Sequence, residues 1–152
     1  MDYILSDNLV DNVKAIIDKD IPLVSNLSNI SRLIYESIPN TSWCGCYLSF
    51  EDKDELYLGP YQGPIACTLI KYGRGVCGTC ALEKKTQLVS NVHECKNHIA
   101  CSSKTNSEIV VPIIKDNKVV GVIDLDSEEF NNFTLEHQKV LEEVSDIIKD
   151  LF

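Results

Sequence analysis

The sequence predicts an α+β domain in which a central, mainly antiparallel sheet is flanked by N-terminal and C-terminal helices. Three observations predict it. Apolar residues recur at three- and four-residue intervals near the two ends of the chain, β-branched runs fill the later middle, and short turn-like segments join those runs closely enough that neighbours must pair antiparallel. With 152 residues and 44% hydrophobic content, one core suffices, and residues 1–152 are expected to form a single domain without linker or repeat.

The first helical stripe runs from Tyr3 to Lys19, with Leu5, Leu9, Val10, Val13, Ile16 and Ile17 on one face. After Pro22 the pattern resumes through Leu23, Leu27, Ile30, Leu33, Ile34 and Ile38 until Pro39-Asn40 ends it. Trp43 to Phe50 and Glu55 to Leu58 read as a hairpin about the turn Glu51–Asp54, followed by a Gly-Pro-rich loop from Gly59 to Pro64. Gly73–Gly78 is a glycine-rich turn feeding a short helix to about Lys84, with a brief strand near Gln87–Ser90. It lacks the spacer and terminal Gly-Lys-Ser/Thr of a phosphate loop. Asn91 to Asn106 is a long polar loop, the kind that often carries function. Glu108–Ile114 and Val119–Leu125 form a second hairpin about Lys115–Lys118. Thr134 caps a final helix striped by Leu141, Val144, Ile148 and Leu151.

A formal charge of -9 repels phosphate backbones and anionic headgroups, so neither nucleic acid nor a membrane is expected as a partner. No run of eighteen apolar residues occurs, and the opening MDYILSDNLV has acidic and amide residues where a secretory signal needs basic and then apolar ones. A cytoplasmic protein is expected. Seven cysteines, at 44, 46, 67, 77, 80, 95 and 101, are many for a reducing compartment, and their odd number prevents complete pairing within the chain.

Two chemistries compete for them. Cys77-x2-Cys80 followed by Cys95-x2-His98 has the spacing of a zinc site. A redox site instead needs an accessible thiolate and a second thiol within reach. Cys101, after His98 and before the polar segment Ser102–Asn106, lies on a loop beside groups that favour a thiolate. Cys44 and Cys46, inside a strand pattern, are expected to be small buried hydrophobes. His93 and His98 read as loop hydrogen-bonders.

Five separated motifs, Gly59-Pro-Tyr-Gln-Gly-Pro-Ile-Ala-Cys67, Gly73-Arg-Gly-Val-Cys-Gly78, His98-Ile-Ala-Cys101, Asn106-Ser-Glu-Ile-Val110 and Gly121-Val-Ile-Asp-Leu-Asp-Ser127, resemble the free methionine-(R)-sulfoxide reductases. These are catalytic members of the GAF-domain fold, so the resemblance implies a GAF-like sheet. It spans nearly the whole chain, and the motifs occur in the family's order. The resemblance implies reduction of free methionine sulfoxide by three working cysteines: Cys101 as nucleophile, Cys67 as its resolving partner, and Cys77 as an alternative or relay thiol. It also implies a sulfenic acid that closes to a disulfide and an external reductant, thioredoxin, with no bound cofactor and no metal. Cys80 departs from the pattern, which has a small residue such as alanine there. Cys44, Cys46 and Cys95 also look additional.

Glu108, Asp124 and Asp126 match acidic positions that line the family's substrate pocket, and the spacing of 124 and 126 puts both on one face of a strand. Crowded carboxylates raise one another's pKa, so one stays protonated while another binds an ammonium group. Glu108 is assigned to sulfoxide activation and Asp126 to the ammonium. Trp43 and Tyr47, two strand steps apart, match pocket positions that would wall the methyl-sulfur end. A non-enzymatic GAF module binding a small regulator is the alternative from another class. A homodimer is compatible with this fold, whose flanking helices often associate, though nothing in the apolar pattern requires one.

Overall fold

Asn8 opens the first helix of the computed structural model, which describes residues 7–50, 52–95 and 103–152. Its backbone is extended and its side chain accepts the Asp11 N–H, so α1 (Leu9–Ile16) begins at Leu9; Tyr3 and Leu5 of the expected stripe lie outside the described residues. The helix stops before Lys19. The Asn26 side chain accepts the Asp18 N–H and donates to the Asp18 carbonyl, both at 2.8 Å, and so holds the chain out of helix there. Pro22 then precedes α2 (Leu23–Ser37).

The strands are β1 (Thr41–Ser49), β2 (Glu55–Gln62), β3 (Leu69–Lys71), β4 (Gln87–Val89), β5 (Ser107–Lys115) and β6 (Lys118–Ser127), with α3 (Gly75–Glu83) between β3 and β4 and α4 (Leu135–Ile148) at the end. They form one antiparallel sheet in the order β3-β2-β1-β6-β5-β4. The expected α+β class and both hairpins hold. The segment Gly59–Gln62, expected as loop, is the second half of β2. Tyr61 and Gln62 pair with Gly45 and Cys44, and the irregularity between Gly45 and Tyr47 falls opposite Gly59-Pro60, where a strand tolerates a proline that cannot donate. The polar segment after Asn91 contains a short 3-10 turn, Val92–Glu94, with Val92 buried.

Alternation along the strands divides the molecule in two. One face of the sheet packs Cys44 and Cys46 of β1, Ile109, Val111 and Ile113 of β5, and Ile123 and Leu125 of β6 against α1, α2 and α4. Cys44 and Cys46 are core side chains, and burial pushes the Cys46 thiol up to about 12, which makes it inert as a nucleophile. The opposite face carries Trp43, Tyr47, Val110 and Val122 beneath α3, whose Val76, Cys77, Cys80 and Ala81 are buried there. α3 sits close to the turn after β3: a Cβ at Gly78 would strike the Lys71 carbonyl. Among the described residues no helix is long and apolar enough to cross a membrane.

Candidate active site

The second face of the sheet is where the polar anomalies lie. β6 places Asp124 and Asp126 on that face, and the register sets Asp126 between Trp43 of β1 and Glu108 of β5, and Asp124 between Gly45 and Val110. Glu108 and Asp124 are buried at 7% and 5% exposure, and acidic side chains directly opposite each other destabilise a sheet. Such an arrangement has to be explained by what it binds.

Gly45 is what makes room. A Cβ there would collide with Tyr61 and stand 2.7 Å from the Trp43 ring, so its absence lets Trp43 lie against its neighbours. Trp43 stacks on Tyr61 at 5.2 Å and on Tyr47 at 5.9 Å between ring centroids. This aromatic wall is also a hinge post for the segment after β2. Trp43 Nε1 donates to the Pro64 carbonyl at 3.0 Å, and the Tyr47 hydroxyl donates to the Cys67 carbonyl at 2.9 Å. Pro64, Ile65 and Ala66 therefore stand over the acidic floor as one side of a pocket closed on the other by Arg74 to Cys77 at the start of α3.

α3 has no side-chain cap, so the first-turn N–H groups of Gly75, Val76 and Cys77 leave a partial positive charge at the helix start, and these three residues line the pocket. The floor is negative by contrast. Burial above all, then the charges of Asp124 and Asp126, holds the Glu108 carboxyl well above the usual carboxylate range. Burial, then Asp124, does the same to Asp126. Asp124 is raised by burial and drawn back by hydrogen bonds from Glu108 and Cys77. The Cys77 sulfur stands 3.9 Å from Glu108 Oε1, and burial, then Asp124 and Glu108, pushes its thiol well above the ordinary value. Cys77 is thus a protonated thiol at neutral pH. Thr105 Oγ1 donates to Asp126 Oδ2 at 3.5 Å, while Asp124 Oδ1 and Asp126 Oδ1 are buried without a hydrogen-bond partner among the described residues.

This cluster lowers the stability of the fold it sits in. Carboxyls whose folded-state pKa lies above the unfolded value keep protons that the unfolded chain releases, so stability is lost as pH rises from the ordinary carboxylate range through the raised values. Asp124→Asn removes the central charge. The variant is expected to be more stable than the wild type at pH 7 by about 1–3 kcal/mol, with the gain shrinking as the pH is lowered toward about 4. Thermal unfolding at a series of pH values measures it, and a variant less stable than the wild type at pH 7 would refute the strained-cluster account.

The structure brings Trp43, Tyr47, Cys77, Glu108, Asp124 and Asp126 together around one pocket. Cys67, half-buried beside it, is disulfide-bonded. Cys101 and His98 lie outside the described residues. The zinc spacing is not realised by the thiols that are described: Cys77 faces Glu108, Cys80 donates to the Val110 carbonyl at 3.5 Å, and Cys95 follows the 3-10 turn. His93 Nε2 is bonded to Asn106 Oδ1 at 2.8 Å, as a loop histidine should be. Sequence reasoning missed Tyr61, hidden in what read as a loop, and Thr105, a lone hydroxyl with no motif of its own.

A GAF domain model matches residues 24–151. The free methionine-R-sulfoxide reductase of Escherichia coli (strain K12) is 45% identical over 121 residues, 80% of this chain and 72% of that protein. The enzyme of the same name from Saccharomyces cerevisiae is 40% identical over 148 residues, 93% of this chain and 82% of that one. The structure of free methionine-R-sulfoxide reductase from Neisseria meningitidis in complex with its substrate superposes with a TM-score of 0.90 at 36% identity, covering all of this chain and 94% of the other.

Proposed function

This chain belongs to the free methionine-R-sulfoxide reductases, oxidoreductases built on the GAF domain, and from that premise we propose that it reduces free L-methionine (R)-S-oxide to L-methionine with Cys101 as the attacking sulfur. The observation that carries the reading is the pocket's split polarity: a buried acidic floor, an aromatic wall and a ring of backbone N–H groups at the start of α3. A free amino acid presents the complement of each. Its ammonium suits the orphaned oxygens of Asp124 and Asp126, its methyl-sulfur end suits Trp43, and its carboxylate suits the amides of Gly75 to Cys77. A methionine within a polypeptide has neither free charge.

Reduction of a sulfoxide needs a nucleophile on sulfur and a proton on oxygen. The Cys101 thiolate attacks the sulfoxide sulfur while Glu108, kept protonated by its surroundings, supplies the proton. Oxygen passes to the cysteine as methionine leaves, so the substrate gains the two electrons that the thiol loses in becoming a sulfenic acid. Condensation with the Cys67 thiol expels that oxygen as water and forms a disulfide. The disulfide-bonded state of Cys67 supports a resolving role. An external dithiol of the cytoplasm, thioredoxin, returns two electrons and two protons, with Cys77 held as a thiol at the pocket floor. No bound cofactor enters the cycle.

The purified protein, given thioredoxin and its reductant, is expected to release methionine from the R epimer of free methionine sulfoxide and not from the S epimer. Turnover of neither epimer would leave a ligand-binding GAF module.

A further inference from the structure

The pocket floor gathers donors suited to a metal ion. The Cys77 sulfur and one carboxylate oxygen each from Glu108 and Asp124 all lie within 4.8 Å of one another, and all three residues are buried. In a tetrahedral site with bonds of about 2.0–2.3 Å, neighbouring donor atoms stand roughly 3.3–3.7 Å apart. The 3.9 Å separation of Cys77 Sγ and Glu108 Oε1 is already close to that, and small side-chain rotations bring the third donor in. Asp124, 5% exposed, has an Oδ1 with no hydrogen-bond partner among the described residues, and an orphaned carboxylate oxygen beside two further acids calls for positive charge. The pocket side remains open, as at a metal site that keeps an exchangeable position.

We propose that Cys77, Glu108 and Asp124 form a binding site for a single divalent cation of the zinc class, and that an ion held there excludes the substrate. Exclusion rests on the sulfoxide-reductase reading; binding of the ion does not. The thiol selects a borderline-soft metal over magnesium or calcium, which take oxygen ligands only. As the ion binds, the Cys77 thiol and the protonated Glu108 carboxyl both release their protons to solvent, and no electron is transferred. The ion occupies the floor where the sulfoxide oxygen would be protonated, so the reductase becomes a metal-inhibited enzyme without any change of fold. This set shares only Cys77 with the one suggested by cysteine spacing, because Cys80 is turned to the Val110 carbonyl.

Fully reduced protein titrated with Co2+, as a coloured stand-in for Zn2+, tests the site directly. One equivalent is expected to bind with a thiolate-to-cobalt charge-transfer band in the near ultraviolet, and Zn2+ should displace it. The band should persist in Cys95→Ser, vanish in Cys77→Ser, and require at least tenfold more metal in Glu108→Gln, which serves if Cys77→Ser fails to fold. No band in the reduced wild type, or a band that survives Cys77→Ser and is lost in Cys95→Ser, overturns the site. One equivalent of Zn2+ should also stop methionine release until a chelator is added. Binding through Cys77 with turnover unaffected refutes the exclusion, whereas binding by a protein that never reduces the sulfoxide refutes the functional reading and leaves the site standing.

Discussion

Cys101→Ser is expected to lower methionine sulfoxide reduction by more than about 10³-fold, since losing the nucleophile removes the step on which the remaining groups act. The loss should fall on kcat. In the proposed reading substrate is held by Trp43, the carboxylates and the α3 amides, all of which the variant retains. The companion experiment replaces Cys67 and Cys77 together with serine and follows one turnover in the absence of thioredoxin. One equivalent of methionine per protein is expected, after which the reaction stops, because the sulfenic acid forms but has neither thiol to condense with. If Cys101→Ser retains the wild-type rate, the nucleophile is another thiol. Cys77 is a poor candidate for that part, because burial and its acidic neighbours keep it protonated, and the thiol form is weakly nucleophilic.

Glu108→Gln should cost about 10²- to 10⁴-fold in kcat, the range of a positioned proton donor. The sharper readout is the pH profile. A donor works only while protonated, and Glu108 is held well above the usual carboxylate range by burial, Asp124 and Asp126. Wild-type activity should therefore persist through pH values at which an ordinary glutamate is ionised, and fall as the pH climbs through the raised value. Because the three carboxyls titrate together, that apparent value belongs to the cluster. The amide cannot titrate, so the falling limb should be lost along with the rate. A variant that keeps both the rate and the limb would move the proton donor elsewhere, with Asp124 next in position.

Most of this architecture was legible because the signals that carry it are local. The stripes of α2 and α4, the β5–β6 turn and the alternation that puts Asp124 and Asp126 on one face are all read within a dozen residues. What escaped depended on distant partners. Tyr61 is strand only because Gly45, sixteen positions earlier, pairs with it, and a Gly-Pro pair signals a loop unless a bulge accommodates it. β3 has three residues, too few for any period to show. The site was legible by another route: its acids were picked out by the family resemblance, but that Glu108 faces Asp126 across two strands is a matter of register, which no spacing in the chain reveals.

The alternation along β6 also bears on how such a protein can diverge. Ile123 and Leu125 belong to the packing under α1, α2 and α4, while Asp124 and Asp126, interleaved with them, belong to the pocket. Odd and even positions of one strand answer to separate selective demands, foldedness for the first and ligand for the second. A lineage can therefore exchange its even-numbered residues for a new small molecule without renegotiating the core. It can equally let the core drift while the chemistry stays fixed, so that relatives grow distant in sequence while keeping the same acids in the same places.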